Sequence, residues 1–185
     1  TLSLHDALPI YIKERDRMNN PCYHLVLIAK NNVGYQNIIR LTSVAWCDGF
    51  YMHPRINWEL LKEHHEGLIC LSACLGGEVL QNLLHKDPEK AREVAKRYKD
   101  LFGDDYYIEL QDHGLEDQKR TNPELIAIAK ELVIEMVITN APHYLKKENA
   151  DMHDPLLFIT TNPNKDAPTR FHLKVTSFTS RPQNN

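Results

Sequence analysis

The chain has 185 residues, of which 42% are hydrophobic and 25% are charged, a composition typical of a globular protein with its own core. No apolar run approaches the roughly 20 residues that a membrane-spanning helix needs, and no signal-peptide pattern is visible, so we expect a cytoplasmic protein without a membrane partner. The 22 basic and 25 acidic residues give a net charge of −3, which argues against nucleic-acid binding by bulk charge.

The cysteines indicate a reducing compartment. They lie in apolar stretches and lack the dense spacing of a secreted disulfide scaffold. We therefore expect four free thiols, at Cys22, Cys47, Cys70 and Cys74.

The first part of the chain predicts two strands and a helix. Residues 1–10 match no pattern that follows, and we interpret them as a non-native leader; an ordinary irregular N-terminus is the alternative. Residues 23–29 are apolar and rich in β-branched side chains, which predicts a buried strand. Helical spacing then predicts a helix that contains Ile38 and Ala45. Residues 68–71 form a second apolar run, which ends in a turn with two glycines.

The next helix has well-marked ends. Asp87 is a predicted N-cap, and Pro88 occupies the first helical position. Apolar residues then recur with helical spacing as far as Leu101. Gly103 can end the helix in the left-handed conformation.

Two further strands follow. Residues 106–110 predict a third strand, and residues 136–139 a fourth. Between them, Asn122 and Pro123 repeat the cap-and-proline pattern, which predicts a helix start at that point. We expect a last short helix over residues 150–158.

Alternating strands and helices are typical of βαβ units with right-handed crossovers. We therefore predict an α/β fold in which the strands near residues 23–29, 68–72, 106–110 and 135–139 lie parallel in one sheet, with helices outside. Four strands cannot close a barrel, so the fold is either a small open sheet or part of a barrel. Residues 172–185 show no clear periodicity and are interpreted as an irregular tail.

Three side chains near the predicted strands could bind a metal. Cys74 follows the second strand, His143 follows the fourth, and His24 lies at the start of the first. Imidazole and thiolate are good zinc ligands, and active sites of parallel α/β folds lie at the C-terminal ends of the strands. His24, at the start of its strand, would therefore need to point inward from within the sheet. A buried structural cysteine and ordinary structural histidines are the more frequent arrangement, however, and no CxxC or HExxH motif is present.

The other polar residues do not identify a catalytic or cofactor-binding site. Asp112 could orient His113, but a turn built by Asp112 and Gly114 explains this segment equally well. The chain has neither a glycine-rich phosphate loop nor a polymerase-type carboxylate pair, so catalytic and cofactor-binding residues stay unassigned. We predict solvent-exposed surface positions for His64, His65 and His153.

Five segments, in order along the chain, carry a family resemblance. They are residues 23–31 (YHLVLIAKN), 49–56 (GFYMHPRI), 71–79 (LSACLGGEV), 109–114 (ELQDHG) and 139–145 (TNAPHYL). Together they resemble the polymerase-and-histidinol-phosphatase (PHP) domain family, in the form found in bacterial DNA polymerase III alpha subunits. The resemblance identifies residues 11–171 as part of such a domain.

The resemblance implies a distorted seven-stranded (βα) barrel, of which this chain supplies a part, with mainly parallel strands and outer helices. It also implies divalent metal ions (zinc, manganese or magnesium) and places His24, Cys74 and His143 at ligand positions. Two departures leave the site incomplete. Ala141 stands where the family has an aspartate, and the family's early His-x-His pair would lie before Tyr11.

Three functions compete at this point. The first is a metal-dependent phosphodiesterase, or 3′–5′ exonuclease-like module, within a DNA-directed DNA polymerase that acts on DNA beside other holoenzyme subunits. The second is a degenerate scaffold that supports the polymerase and docks a proofreading subunit, and Ala141 favours it because loss of a carboxylate weakens a multi-metal site. The third is a free-standing phosphatase, against which the polymerase-type segments count. We expect the stretch alone to be inactive and incompletely folded.

Overall fold

The computed structural model describes residues 3–7, 22–51 and 53–149, together with residues 151 and 155. Compact packing divides the chain into two units: the first runs to Leu110 and includes Arg120–Val137, and the second comprises Gln111–Lys119 and the residues from Ile138 onward. The strands are β1 (Ser3–Ala7), β2 (Tyr23–Ala29), β3 (Leu68–Leu71), β4 (Tyr106–Leu110) and β5 (Glu135–Ile138). The α-helices are α1 (Asn32–Cys47), α2 (Trp58–Glu63), α3 (Glu78–Leu84), α4 (Pro88–Phe102) and α5 (Glu116–Glu131).

The strands form one sheet in the order β1-β2-β3-β4-β5. The predicted sheet is therefore confirmed for β2 to β5, whereas β1 was not predicted. β3 and β4 are parallel, as expected. The parallel prediction is wrong for β2 and β3, which pair antiparallel; β1 and β2 are antiparallel as well. The connection from β2 to β3 contains α1, a loop and the short helix α2, so it is not the single crossover helix that joins parallel strands in a βαβ unit.

One side of α1 packs on the sheet. Its buried residues Ile38, Leu41 and Ala45 follow the predicted helical spacing, while Ile39 is exposed. Asn31 caps the helix, and its Oδ1 accepts a hydrogen bond from the Gly34 N–H at 3.0 Å. The central core of the first unit joins sheet and helices through fully buried side chains, among them Leu27, Leu41, Leu61, Leu68, Val94, Tyr106 and Ile108.

α4 has the predicted ends. Asp87 Oδ1 accepts a hydrogen bond from the Lys90 N–H at 3.0 Å, with Pro88 as the first residue of the helix. Gly103 follows the helix with a φ of +59°, a conformation that costs glycine little. The solvent side of α4 carries ion pairs such as Lys96–Asp100, so this helix is apolar inside and charged outside.

α5 begins earlier than predicted. Its first residue is Glu116 rather than the proline, and Pro123 lies inside the helix. The acidic side chains of Glu116 and Asp117 stabilise the first turn through the helix dipole. A proline inside a helix removes its own N–H bond to the preceding turn, and its ring crowds the carbonyl there. Burial of the apolar face beyond Pro123 offsets this cost, through Leu125, Ile128 and Ala129.

The predictions for the cysteines were confirmed, whereas those for two of the histidines were not. The four cysteines are free thiols, as predicted. The surface assignment of His64 and His65 is wrong, because both are half-buried. The His65 ring packs edge-on against Phe102, with the ring centroids 5.9 Å apart. No helix in the described part of the chain has the length and apolar character to cross a membrane. His153, most of the predicted helix over residues 150–158 and the tail lie outside the described residues.

Val133 closes α5 in a strained conformation, so we expect Val133→Gly to stabilise the fold. Its φ is +52°, and the Ile134 N–H bonds back to the Ala129 carbonyl at 2.8 Å, a helix ending that favours glycine. The valine side chain is 79% exposed, so its loss sacrifices little packing. The free energy of unfolding should rise by about 1 kcal/mol, measured by urea denaturation. A decrease would show that the left-handed backbone is not strained here.

Candidate metal centre

His24 lies in β2, within the first unit, where the backbone of the glycine turn holds it. Its N–H donates to the Gly76 carbonyl at 2.9 Å, and it forms a parallel bridge with Gly77. The second residue of β2 is therefore aligned with the turn that follows β3.

A short buried segment connects β3 to Cys74. The Ser72 N–H donates to the Tyr107 carbonyl at 3.0 Å, and its hydroxyl accepts from the Glu109 N–H at 2.9 Å. Ser72 thus continues the pairing of β3 with β4 through its side chain. The next residue, Ala73, is buried and has a φ of +65°. This backbone strain turns the chain at the point where it presents Cys74.

The turn brings His24 and Cys74 together, although 50 positions separate them in sequence. The distance from His24 Nδ1 to Cys74 Sγ is 3.2 Å. The Gly77 N–H donates to the Cys74 carbonyl at 2.8 Å and closes the turn. Both residues are only partly buried.

The geometry of this pair fits a metal ligand set. Zinc–sulfur bonds of about 2.3 Å and zinc–nitrogen bonds of about 2.0–2.1 Å in a tetrahedron place the two ligand atoms about 3.5 Å apart. The observed 3.2 Å between His24 and Cys74 needs only a small adjustment. Imidazole and thiolate are also the donor types that zinc prefers. Among the described residues, however, no group of three or more His, Cys, Asp or Glu side chains is close enough to share an ion.

The acidic residue that follows the turn is engaged elsewhere. Glu78, the first residue of α3, pairs with Arg97 at 2.6 Å and accepts from the Tyr98 hydroxyl at 3.2 Å. Burial raises the pKa of Tyr98 well above its usual value, and the Glu78 carboxylate raises it further. This carboxylate therefore stabilises the contact of α3 with α4.

His143 and Ala141 belong to the second unit. His143 is exposed, in a bend beyond the end of β5. Ala141 supplies no oxygen ligand from its side chain, and its N–H donates to His113 Nε2 at 3.4 Å. The structure thus brings together His24 and Cys74, and it describes His143 within a separate unit. The ligand role of all three residues stays a prediction.

Sequence reasoning missed the residues that position these side chains. The sequence Ser72-Ala73-Cys74 does not reveal that the serine hydroxyl accepts a hydrogen bond from the backbone after β3 ends. It also does not reveal that the alanine backbone has a positive φ. The turn formed by Asp112 and Gly114 is observed: Asp112 Oδ1 accepts from the Gly114 N–H at 3.0 Å, and Gly114 has a φ of +79°.

Comparison with known proteins confirms the family resemblance. DNA polymerase III subunit alpha of Deinococcus radiodurans is 47% identical over 156 residues, which cover 84% of this chain and 12% of that protein. The same subunit of Treponema pallidum is 45% identical over 157 residues, or 84% of this chain and 13% of the relative. The Borreliella burgdorferi subunit is 37% identical over 168 residues, or 91% and 15%. The chain therefore spans less than a sixth of the length of these relatives. The PHP domain family matches residues 7–113, more than half of the chain, which therefore belongs to the PHP domain family.

Proposed function

We propose that this chain is the metal-binding part of a PHP domain, over residues 11–171, within a replicative DNA polymerase alpha subunit. The observation that carries the metal site is the 3.2 Å contact between His24 and Cys74. The assignment to a polymerase is supported by identities of 37% to 47% to DNA polymerase III alpha subunits. The complete domain is proposed to be the distorted seven-stranded barrel that the family resemblance implies.

The proposed ligands are His24, Cys74 and His143, and the proposed substrate is a phosphodiester of DNA. A bound divalent ion, zinc, manganese or magnesium, would supply Lewis acidity and a water of lowered pKa. The His24 imidazole and the Cys74 thiolate would hold the ion, and the bonds at Ser72 and Gly77 would keep them in place. His143 would be the third ligand, a role that rests on the family resemblance.

Ala141 favours a second function. Where the family motif has a carboxylate, this chain has a methyl group, so one potential ligand is missing. A domain without nuclease activity could still support the polymerase and dock a proofreading exonuclease subunit. DNA and the other holoenzyme subunits are the proposed partners of the parent polymerase in either case.

Zinc affinity tests the ligand assignment. We expect His24→Ala, Cys74→Ser and His143→Ala each to weaken zinc binding at least about tenfold, because each removes a donor atom. The dissociation constants can be measured by competition with a chromophoric chelator.

His53→Ala is the matched control, because His53 is an exposed histidine of the first unit. It should bind zinc as the wild type does. Equal affinity in the wild type and in all three ligand variants would contradict the metal assignment. DNA hydrolysis by the full-length parent polymerase that Cys74→Ser abolishes would favour the nuclease over the scaffold.

A further inference from the structure

Two side-chain contacts join the segments that follow β4 and β5 within the second unit. Gln111 Nε2 donates to Thr139 Oγ1 at 3.3 Å. Two residues further along each segment, the Ala141 N–H donates to His113 Nε2 at 3.4 Å. The segments are therefore linked at two successive points, and the second link lies two positions before His143.

His113 is itself firmly held. Its side chain is 2% exposed, and its backbone N–H donates to Gln118 Oε1 at 2.8 Å. Gln118 belongs to α5 and is also buried. The Asp112–Gly114 turn fixes the backbone on the other side of the histidine. A buried ring attached to a fixed backbone can hold the group it bonds in one position.

The direction of the hydrogen bond assigns the ring's proton. A backbone N–H can only donate, so Nε2 of His113 accepts and carries no hydrogen when it bonds Ala141. In the neutral ring, the hydrogen is then on Nδ1.

We propose that His113 is a positioning residue for the turn that presents His143. Its Nε2 fixes the Ala141 N–H, and Pro142 restricts the backbone between Ala141 and His143. The direction of the His143 side chain then follows from the His113 contact. The inference rests on the proposed ligand role of His143.

Two amide substitutions separate positioning from mere packing. His113→Gln places an oxygen near the position of Nε2, whereas the shorter side chain of His113→Asn cannot reach the Ala141 N–H. Glutamine and asparagine are both neutral and polar, so the cost of burying either side chain at position 113 is similar. Hydrogen exchange of the Ala141 amide reports on the contact itself, and zinc affinity reports on its consequence for His143.

In His113→Asn we expect Ala141 exchange to accelerate at least about tenfold and zinc binding to weaken at least about tenfold, the usual loss for a group that orients a ligand. His113→Gln should restore both to within about threefold of the wild type. Unchanged Ala141 exchange in His113→Asn, or equal losses in the two variants, would overturn the inference. If His143→Ala leaves zinc affinity unchanged, the ligand role of His143 fails instead, and amide exchange alone decides whether the His113 contact exists.

Discussion

Gly77→Ala should lower the free energy of unfolding by about 3 kcal/mol, because a methyl group there meets rigid backbone. A Cβ at Gly77 would lie 2.1 Å from the Ser72 carbonyl oxygen. The backbone of Gly77 is ordinary, with φ −71° and ψ 152°, so the cost is steric and not conformational. Relief of the clash must move the turn that carries Cys74, and zinc affinity should fall along with stability.

Gly76→Ala is the matched control, one position earlier in the same turn. Its Cβ would lie 3.5 Å from His24 Cβ and 3.8 Å from Cys74 Sγ, which are ordinary contacts. The unfolding free energy should change by less than about 1 kcal/mol. Both variants can be compared by urea denaturation followed by circular dichroism. Equal losses at the two positions would show that the turn is not packed as described.

Gly34→Ala should also destabilise the protein by about 3 kcal/mol, against the usual helix preference. Inside a helix, alanine is normally more stable than glycine by about 1 kcal/mol. Here the added Cβ would lie 1.8 Å from the carbonyl oxygen of Gly67, just before β3. The same oxygen accepts from the Lys30 N–H at 2.8 Å, so it cannot move away without breaking a second contact.

Gly103→Ala serves as the comparison for Gly34. Among the described residues, apart from the two chain neighbours, no atom lies within 4 Å of a Cβ at Gly103, so its φ of +59° is the obstacle to alanine there. Because its ψ of −127° lies outside the left-handed helical region, the loss should be about 1–2 kcal/mol. Stabilisation by Gly34→Ala would show that α1 does not approach Gly67 this closely.

Sequence patterns correctly predicted those strands and helix ends that depend only on neighbouring residues in the chain. Residues 23–29 and 106–110 are short apolar runs, and both are strands with the predicted bounds. The N-cap, proline and C-terminal glycine of α4 act within one turn of the helix, and all three were found in place. The start of α5 was wrong because the Asn122-Pro123 pattern is also compatible with a helix interior.

Features that depend on distant contacts were not predictable in this way. Strand direction in β2 and β3 depends on how many times the connection reverses, and the short helix α2 was not anticipated. Alanine at a φ of +65° and the acceptor role of His113 depend on groups more than 20 residues away. The pairing of His24 with Cys74 was expected from the family resemblance, whereas spacing alone left it as one of several interpretations.

The absorption spectrum of the cobalt(II)-loaded protein reports on a Cys74–metal bond. A cobalt–thiolate bond produces an intense charge-transfer band, and cobalt accepts the same tetrahedral nitrogen and sulfur ligands as zinc. Cys74 is the proposed ligand, and Cys47 is an exposed free cysteine that serves as the control. We expect the band in the wild type and in Cys47→Ser, and its loss in Cys74→Ser. A wild type without the band, or a Cys74→Ser variant that retains it, would contradict a metal site built on His24 and Cys74.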